Sequence, residues 1–327
     1  MRRSFLTALP VIALASVVVA LLSVSSAADL PQSAKRWRIG VLAVGDAEAL
    51  RKRLSELGYV EGQNVIYEIR DTKEGRPEFL KQLASELVDL KVDVIVALYP
   101  AAVFAAKRAT TAIPIVMVMS PDPVQLGVVA SLAQPDANVT GTTTLSVDLS
   151  IKHLELIKEA VPRASRIVVL WNPDNPWHPL VVRSLPKENR RLGVELQFLE
   201  IRVPADINDA FQTMVRERVD ALIVLSDPLM TAHRREVAAL AAKHHLPSIG
   251  GPRSYTEAGG LMSYWADEDE LLRRAASYVD KILKGASPQR LPIEQPGKYD
   301  LFVNLKTAKT LGLTIPKSQL MRATVIE

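Results

Sequence analysis

The side chains best placed to do chemistry in this sequence are polar residues that directly follow short apolar runs. They occur as Gly45-Asp46, Tyr99-Pro100, Ser120-Pro121-Asp122-Pro123, Asn172-Pro173, Ser226-Asp227-Pro228 and Gly250-Gly251. Several are a carboxylate or an amide followed by proline, which favours the first turn of a helix. Such a side chain can cap the helix or contact a ligand, and the two roles are compatible. The free N–H groups at these helix starts also suit a ligand carboxylate.

Aromatic side chains near the same positions could form the walls of a binding site. Aromatic residues make up 5% of the chain, yet several lie close to the ends of these apolar runs: Tyr99, Trp171, Trp177, Tyr264 and Trp265. A planar or apolar ligand would stack against such rings. Core packing is the alternative. We expect it for Trp171, whereas Tyr99 and Trp177 favour ligand contact.

The candidate ligand-binding residues therefore come from both halves of the chain. Asp122, Asn172 and Asp227 are the predicted polar contacts, and Tyr99 is the predicted stacking wall. The full candidate set is Gly45, Asp46, Tyr99, Pro100, Ser120, Asp122, Asn172, Trp177, Asp227 and Gly250.

Signals of catalysis are weak. The sequence has no Gly-x-Ser-x-Gly, no phosphate-cradling glycine loop and no His-Glu-x-x-His. Cysteine is absent, which removes thiolate nucleophiles, thiolate metal sites and disulfides. The five histidines are more typical of surface residues than of ligands, and the rings of the adjacent pair His244 and His245 would diverge on a helix. We expect no catalytic residue, no metal and no cofactor.

The elements that position the candidates are repeated along the chain. The run Lys91–Leu98 (KVDVIVAL) returns as Arg218–Leu225 (RVDALIVL), and Arg38–Leu42 returns as Arg166–Leu170 at nearly the same offset. Short runs rich in Val and Ile are typical of strands buried on both faces. Amphipathic helical patterns separate them, which indicates parallel sheets with right-handed crossovers. We predict an α/β protein of two doubly wound parallel-sheet lobes joined by a hinge.

The N-terminal segment has the pattern of an export signal. Arg2 and Arg3 precede an apolar run, Phe5–Leu22, and small residues follow it. This pattern predicts a signal peptide over residues 1–28, cleaved near Ala27 or Ala28. An uncleaved membrane anchor is the alternative, and the twin arginine leaves two export routes open.

The rest of the chain is assigned to the two lobes. Residues 36–143 together with 264–327 are predicted to form lobe 1, and residues 144–263 to form lobe 2. The Pro-punctuated tail is too short for a third domain, so we expect it to cross back to lobe 1. The net charge is +4, with no lysine or arginine cluster that would track phosphates, so nucleic acid is not an expected partner. We expect a monomer in the periplasm.

Several motifs occur in an order typical of one protein family. They are Gly58–Val65 (GYVEGQNV), Lys91–Val96 (KVDVIV), Ala112–Val116 (AIPIV), Trp171–Pro173 (WNP), Glu257–Tyr264 (EAGGLMSY) and Asn304–Lys309 (NLKTAK). On these motifs the sequence resembles the ABC-transporter substrate-binding proteins related to the TrpX group, which binds tryptophan or tyrosine. The resemblance implies a type I periplasmic binding protein. Its lobes would close around a small solute and deliver it to a membrane permease and its ATPase, the one expected link to the membrane.

The departures from the family pattern concern the ligand. The family often has a small residue where Tyr99 stands, Gly-Asp-Pro where Ser120–Pro123 stands, and Gly where Trp265 stands. Tyr99 and Trp265 could fill part of the pocket and change its size. The ligand class is left open among amino acids and other small carboxylate or aromatic compounds. The alternative function is a periplasmic ligand sensor that docks on a membrane signalling protein.

Overall fold

A computed structural model describes residues 35–43, 47–72, 77–135, 137–144 and 146–327. The chain divides into residues 1–36 and a compact unit, Trp37–Glu327, that contains both sheets. The predicted signal peptide over residues 1–28 lies outside the described residues, and so do Gly45 and Asp46. Among the described residues, no helix combines the length and the apolar character needed to cross a bilayer.

The first sheet is entirely parallel. Its strands are β1 (Trp37–Ala43), β2 (Val65–Asp71), β3 (Val94–Leu98), β4 (Ile115–Pro121) and β5 (Val139–Thr144). They lie in the order β2-β1-β3-β4-β5, and each neighbouring pair runs in the same direction. Parallel neighbours need crossover connections, and the chain supplies them as a 3-10 turn at Pro77–Phe79 and the helices Glu48–Glu56, Leu80–Asp89 and Pro100–Ala109.

The second sheet is larger and mixed. Its strands are β6 (Arg166–Trp171), β7 (Glu195–Glu200), β8 (Ala221–Val224), β9 (Ser248–Gly250), β10 (Met262–Ala266), β11 (Tyr299–Asn304) and β12 (Ala323–Ile326). Their order is β12-β11-β10-β9-β8-β6-β7, and the pairing is parallel except between β10 and β11. The helices that accompany this sheet are Ser146–Ala160, His178–Ser184, Pro186–Leu192, Ala205–Arg216, Pro228–Ala232, Arg234–Lys243, Arg253–Glu257, Leu305–Thr310 and Lys317–Leu320.

Each sheet is buried on both faces. In β1, Ile39 and Val41 belong to a hydrophobic cluster on one face, whereas Leu42 belongs to a second cluster on the other. In β6, Val169 and its neighbour Val168 divide in the same way between the two clusters of the second lobe. This burial explains why the strands read as continuous apolar runs. The prediction of two doubly wound α/β lobes is confirmed.

Within the described part of the compact unit, the chain passes between the lobes three times. The first crossing follows β5 and leads into the helix Ser146–Ala160, and the second follows β10 and leads into the long helix Glu268–Leu283. This long helix packs on the first sheet through residues such as Leu271. The third crossing returns the chain to β11 in the second sheet.

The path of the tail differs from the sequence prediction, which placed all of residues 264–327 in lobe 1. The long helix and the segment after it do lie against the first sheet, where Ile293 N donates to Leu132 O at 2.7 Å. Strands β11 and β12, in contrast, extend the second sheet. Leu301 and Val303 of β11 complete the core of lobe 2, which is the physical reason for the return. Because the chain re-enters from the crossing side, β11 runs against β10.

Candidate ligand-binding cleft

The carboxyl ends of the two sheets meet at the crossings. Strands β5 and β10 each reach their carboxyl ends immediately before the chain changes lobe. The other parallel strands of each sheet end on the same edge as β5 or β10. The loops after β3 and β4, like the loops after β6, β8 and β9, therefore lie at the edge of their sheet where the chain crosses between the lobes. In open α/β sheets this edge is where ligands bind.

Tyr99 lies at this edge in a strained backbone conformation. It has φ of +69° and directly precedes the helix Pro100–Ala109, in which Pro100 is the buried first residue. Neighbouring backbone holds it there, because Tyr99 N donates to Val118 O at 3.0 Å and Val103 N donates to Tyr99 O at 3.2 Å. Burial, with a smaller contribution from the nearby Glu268 carboxyl, raises the pKa of the phenol above its usual value. Backbone strain in a bulky residue is typical of functional sites.

The end of β4 carries two further candidates, Ser120 and Asp122. Met119 and Asp122 have φ of +54° and +38°, and the pairing with β5 shifts register at Ser120. The Ser120 hydroxyl is buried and has no hydrogen-bond partner among the described residues. A buried hydroxyl without a partner is costly, which favours a site that a ligand completes. The Asp122 carboxylate accepts from Val147 N at 3.4 Å and so ties β4 to the first crossing.

In lobe 2, Asp227 is the centre of a buried network. Its side chain is 5% exposed. One oxygen accepts from Leu229 N at 2.8 Å and caps the helix Pro228–Ala232, and the other accepts from Asn175 Nδ2 at 2.9 Å. The half-buried Asn172 adds a longer contact, from its Nδ2 to both oxygens, at 3.3 and 3.4 Å. Both oxygens of the Asp227 carboxylate therefore accept hydrogen bonds from groups of the same chain.

His178 completes this network and corrects the expectation that the histidines lie on the surface. Its ring is fully buried: Nδ1 accepts from Asn172 N at 2.8 Å, and Nε2 donates to Ser226 O at 3.1 Å. Burial lowers the pKa of the ring below its usual value, and Asp227 acts in the opposite direction. A neutral imidazole thus joins the loops after β6 and β8. His153 is also buried, and its Nε2 contacts Tyr264 O at 2.8 Å.

Two of the candidates pack within lobe 2. Trp177 is 4% exposed, belongs to the core, and meets His178 edge to face at 4.4 Å between ring centroids. Gly250 is buried at the end of β9, where a Cβ atom would lie 2.7 Å from the Tyr255 ring. Gly250 does border the edge, because it lines a cavity of about 20 Å³ with Ser226 and Gly251. Close packing therefore explains Trp177 and Gly250 without a ligand.

Sequence reasoning missed one acidic residue at the same edge. Glu268 is half-buried and follows β10 by two residues, at the start of the long helix. Burial raises the pKa of its carboxyl above the usual value, the Trp265 indole lowers it, and Asp267 raises it further. The rule that found the other candidates, polar residues that follow a strand, reaches Asp267 and then Glu268 when it is applied to β10.

Two facing parallel-sheet lobes joined by three crossings define a protein with a type I periplasmic-binding-protein-like fold. The family model described as "ABC transporter substrate binding protein" matches residues 45–326, and the chain belongs to this family. The resemblance inferred from the sequence motifs is confirmed.

Individual relatives are similar over most of the chain. A tyrosine-binding protein of Clostridioides difficile is 29% identical over 80% of this chain and 75% of the relative. A Streptococcus pneumoniae ABC domain in complex with L-Trp is 25% identical, with a TM-score of 0.82 over 89% of this chain and 100% of that one. A ligand-free, open substrate-binding protein with adhesive properties from Clostridium difficile is 26% identical. Its TM-score is 0.64, over 89% of this chain and 99% of that one.

Proposed function

We propose that this protein is the periplasmic solute-binding component of an ABC importer. It closes its lobes around a small solute and delivers the solute to a membrane permease and its ATPase. The observation that carries the proposal is topological: the chain changes lobe at the carboxyl ends of β5 and β10, so the polar and aromatic residues that follow the parallel strands lie at the edges joined by the crossings. Family membership supports the same function.

The solute class that the site suits best is a small amino acid or another small compound with an aromatic ring or a carboxylate. Relatives described as tyrosine-binding and as an L-Trp complex support an aromatic amino acid. The rings of Tyr99 and Trp265, at the ends of β3 and β10, suit a planar group. Asn172, Ser120 and the helix starts at the strand ends supply polar contacts, and the N–H groups of those starts suit a carboxylate.

The mechanism is a shift between open and closed forms. A ligand that touches both lobes only when they are closed binds that form more tightly, so binding populates it and the permease recognises it. The superpositions support this model. Identity and coverage are nearly the same for the two solved relatives, yet the TM-score is 0.82 against the L-Trp complex and 0.64 against the open, ligand-free protein. The described structure as a whole is thus more similar to the ligand-bound relative than to the open one.

In this function the protein performs no reaction of its own. Export by the predicted signal peptide, cleaved near Ala27 or Ala28, would place it in the periplasm as a monomer. Both oxygens of Asp227 accept hydrogen bonds within the chain, and the neutral ring of His178 links two backbone groups. Neither group is therefore arranged as a nucleophile or a general base.

Native mass spectrometry of the protein purified from periplasm tests the proposal, followed by thermal unfolding with L-tryptophan, L-tyrosine, other amino acids, small acids and sugars. A ligand at 100 times its dissociation constant should add about 2.7 kcal/mol to the free energy of unfolding. A co-purified small molecule, or one chemical class that raises the melting temperature, is the expected result. If no small molecule co-purifies and no compound in the panel raises the melting temperature, solute binding is contradicted.

A transport measurement separates the importer from the sensor alternative. Deleting the gene should reduce uptake of the radiolabelled ligand found in the first experiment, and a plasmid copy should restore it. Unchanged uptake together with tight binding would contradict delivery to a permease and favour a sensor that docks on a membrane signalling protein.

A further inference from the structure

A cavity of about 510 Å³ lies between two neighbouring helices of lobe 1, Leu80–Asp89 and Pro100–Ala109. Both helices cover the same face of the first sheet, because residues of each belong to one hydrophobic cluster with the strands. The lining residues of the second helix run from Ala101 to Ala109, so the cavity extends for about 12 Å along it. We call this cavity the helix groove. None of its described lining residues is a ligand-contact candidate from the strand ends.

The walls of the helix groove are apolar because the helix Pro100–Ala109 is apolar on two sides. Ala102 and Ala106 are fully buried in the cluster beneath the helix. Phe104 and Ala105 lie on another side of the same helix, where they are half-buried and line the groove. A helix that is apolar nearly all round is typical of one whose outer side is also covered.

The second lobe contributes to the same cavity. Pro176 lines the helix groove and lies between β6 and the helix His178–Ser184, whereas all other described lining residues belong to the two helices of lobe 1. Its neighbours hold it in place, because Trp177 is buried in the core of lobe 2 and Asn175 Nδ2 donates to Asp227 Oδ2 at 2.9 Å. The groove is therefore walled from both lobes, which gives a small molecule more contact than two helices alone.

Two cations border the helix groove, and its described lining residues include no aspartate or glutamate. Lys81 and Arg108 are exposed, and among the described residues no ion pair or hydrogen bond of either charged group is found. Nearby charges are engaged elsewhere. Lys107 Nζ donates to two backbone carbonyl groups in the loop after β4, at 2.6 and 2.7 Å, and Glu86 pairs with Arg70 at 2.7 Å. The groove thus combines apolar walls with positive charge that the surrounding chain does not neutralise.

We propose that the helix groove binds an amphipathic carboxylate, an organic acid with an extended apolar chain. The chain packs against Leu80, Phe104 and Pro176, and the carboxylate pairs with Lys81 or Arg108. The cavity volume falls within the range of small-molecule sites, roughly 300–1,000 Å³, and the elongated shape suits a chain. The proposal goes beyond the proposed function, because it adds a binding site outside the ligand edge of the sheets.

Calorimetric titration of the exported chain with four probes, each below its micelle-forming concentration, tests the ligand class. Octanoate has the chain and the carboxylate, octanamide has a similar chain without the charge, octylammonium has the opposite charge, and acetate has the carboxylate without the chain. Octanoate should bind at least fivefold more tightly than each of the others, because only octanoate matches both the walls and the cations. No binding of octanoate would overturn the site, and equal binding of octylammonium would overturn the anionic class.

Substitutions in the groove test the location. Ala105→Phe fills the groove from a half-buried wall and should weaken octanoate binding by roughly tenfold or more. Lys81→Gln combined with Arg108→Gln should weaken octanoate binding by roughly fivefold, as expected for two partly exposed charge pairs, and should leave octanamide within about twofold of wild type. Pro176→Ala should weaken octanoate binding by about twofold to threefold, because it removes most of the wall that lobe 2 supplies.

Arg235→Gln is the matched control, since Arg235 is an exposed arginine on the lobe 2 helix Arg234–Lys243 and does not line the groove. It should leave octanoate affinity within about twofold of wild type. Circular dichroism checks that Ala105→Phe is folded, and the charge variant alters exposed positions only. If both groove variants bind octanoate as tightly as wild type, the acid binds elsewhere and the proposal is wrong. A loss in Ala105→Phe alone would overturn the role of the two cations.

The test is independent of the proposed function because octanoate is titrated without any other solute. A protein that binds octanoate in the groove, yet shows no co-purified molecule and no other ligand in the thermal screen, would retain this site while solute import fails. A protein that binds a solute but not octanoate would retain the proposed function and lose the groove site.

Discussion

Asn172 and Asp227 are joined across the carboxyl ends of β6 and β8, with Asn172 Nδ2 at 3.3 Å from Asp227 Oδ2. These two residues follow strands that are paired directly in the sheet. This contact stabilises the loops of lobe 2, and the same two side chains are candidates for ligand contact. A change at this pair should therefore alter folding and binding together.

Replacing Asp227 with Ala should lower both stability and ligand affinity. The change removes a helix cap and leaves the Asn175 amide without its buried acceptor, so the free energy of unfolding should fall by roughly 1–3 kcal/mol. Urea unfolding and titration with L-tryptophan measure the two effects. Asp206→Ala is the control, because Asp206 also accepts backbone N–H groups, from Arg202 and Val203, on an exposed loop. Asp206→Ala should lower the free energy of unfolding without changing ligand affinity. If Asp227→Ala binds the ligand as tightly as wild type, Asp227 does not belong to the site.

Acid should destabilise the protein through its buried histidines. Burial lowers the pKa of His153 to about 4, so the unfolded state takes up a proton that the folded state refuses between the unfolded value near 6.5 and about 4. Stability is full above pH of roughly 6.5 and falls as the pH drops through this window. His153→Gln, which can still donate to Tyr264 O, should reduce the slope by about 1.4 kcal/mol per pH unit. Equal slopes for both proteins in urea unfolding would contradict a neutral, buried His153.

Replacing Gly250 with Ala should destabilise lobe 2 by overpacking. The added methyl would lie 2.7 Å from the buried ring of Tyr255, whose hydroxyl is held by Ser248 at 2.8 Å. The expected loss is about 1–3 kcal/mol in thermal or urea unfolding. Gly297→Ala is the matched control, since its nearest neighbour is the flexible end of Glu270 at 3.3 Å. If both substitutions are equally mild, Tyr255 does not limit the space at Gly250.

Tyr99 should contribute a stacking surface rather than a hydroxyl. Tyr99→Ala should weaken binding of L-tryptophan by roughly fivefold, or about 1 kcal/mol, through loss of an aromatic contact. Tyr99→Phe keeps the ring and should bind within about twofold of wild type. Because Ala and Phe meet the same backbone strain at φ of +69°, the comparison isolates the ring. Tighter binding by Tyr99→Ala would mean that Tyr99 obstructs the pocket.

Much of the architecture could be predicted from the sequence because buried parallel strands leave a strong local signal. The runs at Lys91–Leu98 and Arg218–Leu225 contain β3 and β8, and their repetition indicated two lobes before any pairing was known. The sheet to which β11 belongs left no such local signal in the sequence. Its pairing with β10 depends on a return crossing and on core space in lobe 2, which only the packed structure defines.

The site was harder to predict because the hydrogen-bond partners of a polar side chain depend on the tertiary structure. The sequence placed Asp227 at the right edge, but its hydrogen bond with Asn175 joins residues far apart in the chain. His178 was expected on the surface, since nothing local distinguishes a buried imidazole from an exposed one. Glu268 was overlooked because acids at a helix start are usually solvated, whereas here burial raises the pKa of the carboxyl.

The three crossings determine when each lobe can complete its hydrophobic core during synthesis. Lobe 1 needs the helix Glu268–Leu283 to cover one face of its sheet, and lobe 2 needs β11 and β12 to complete its own. When the chain is synthesised from its N-terminus, neither hydrophobic core can therefore be completed until most of the chain has been made. Such late completion makes the folding of both lobes depend on the C-terminal part of the chain. It also means that neither lobe, cut out at its sequence boundary, should fold as an independent fragment.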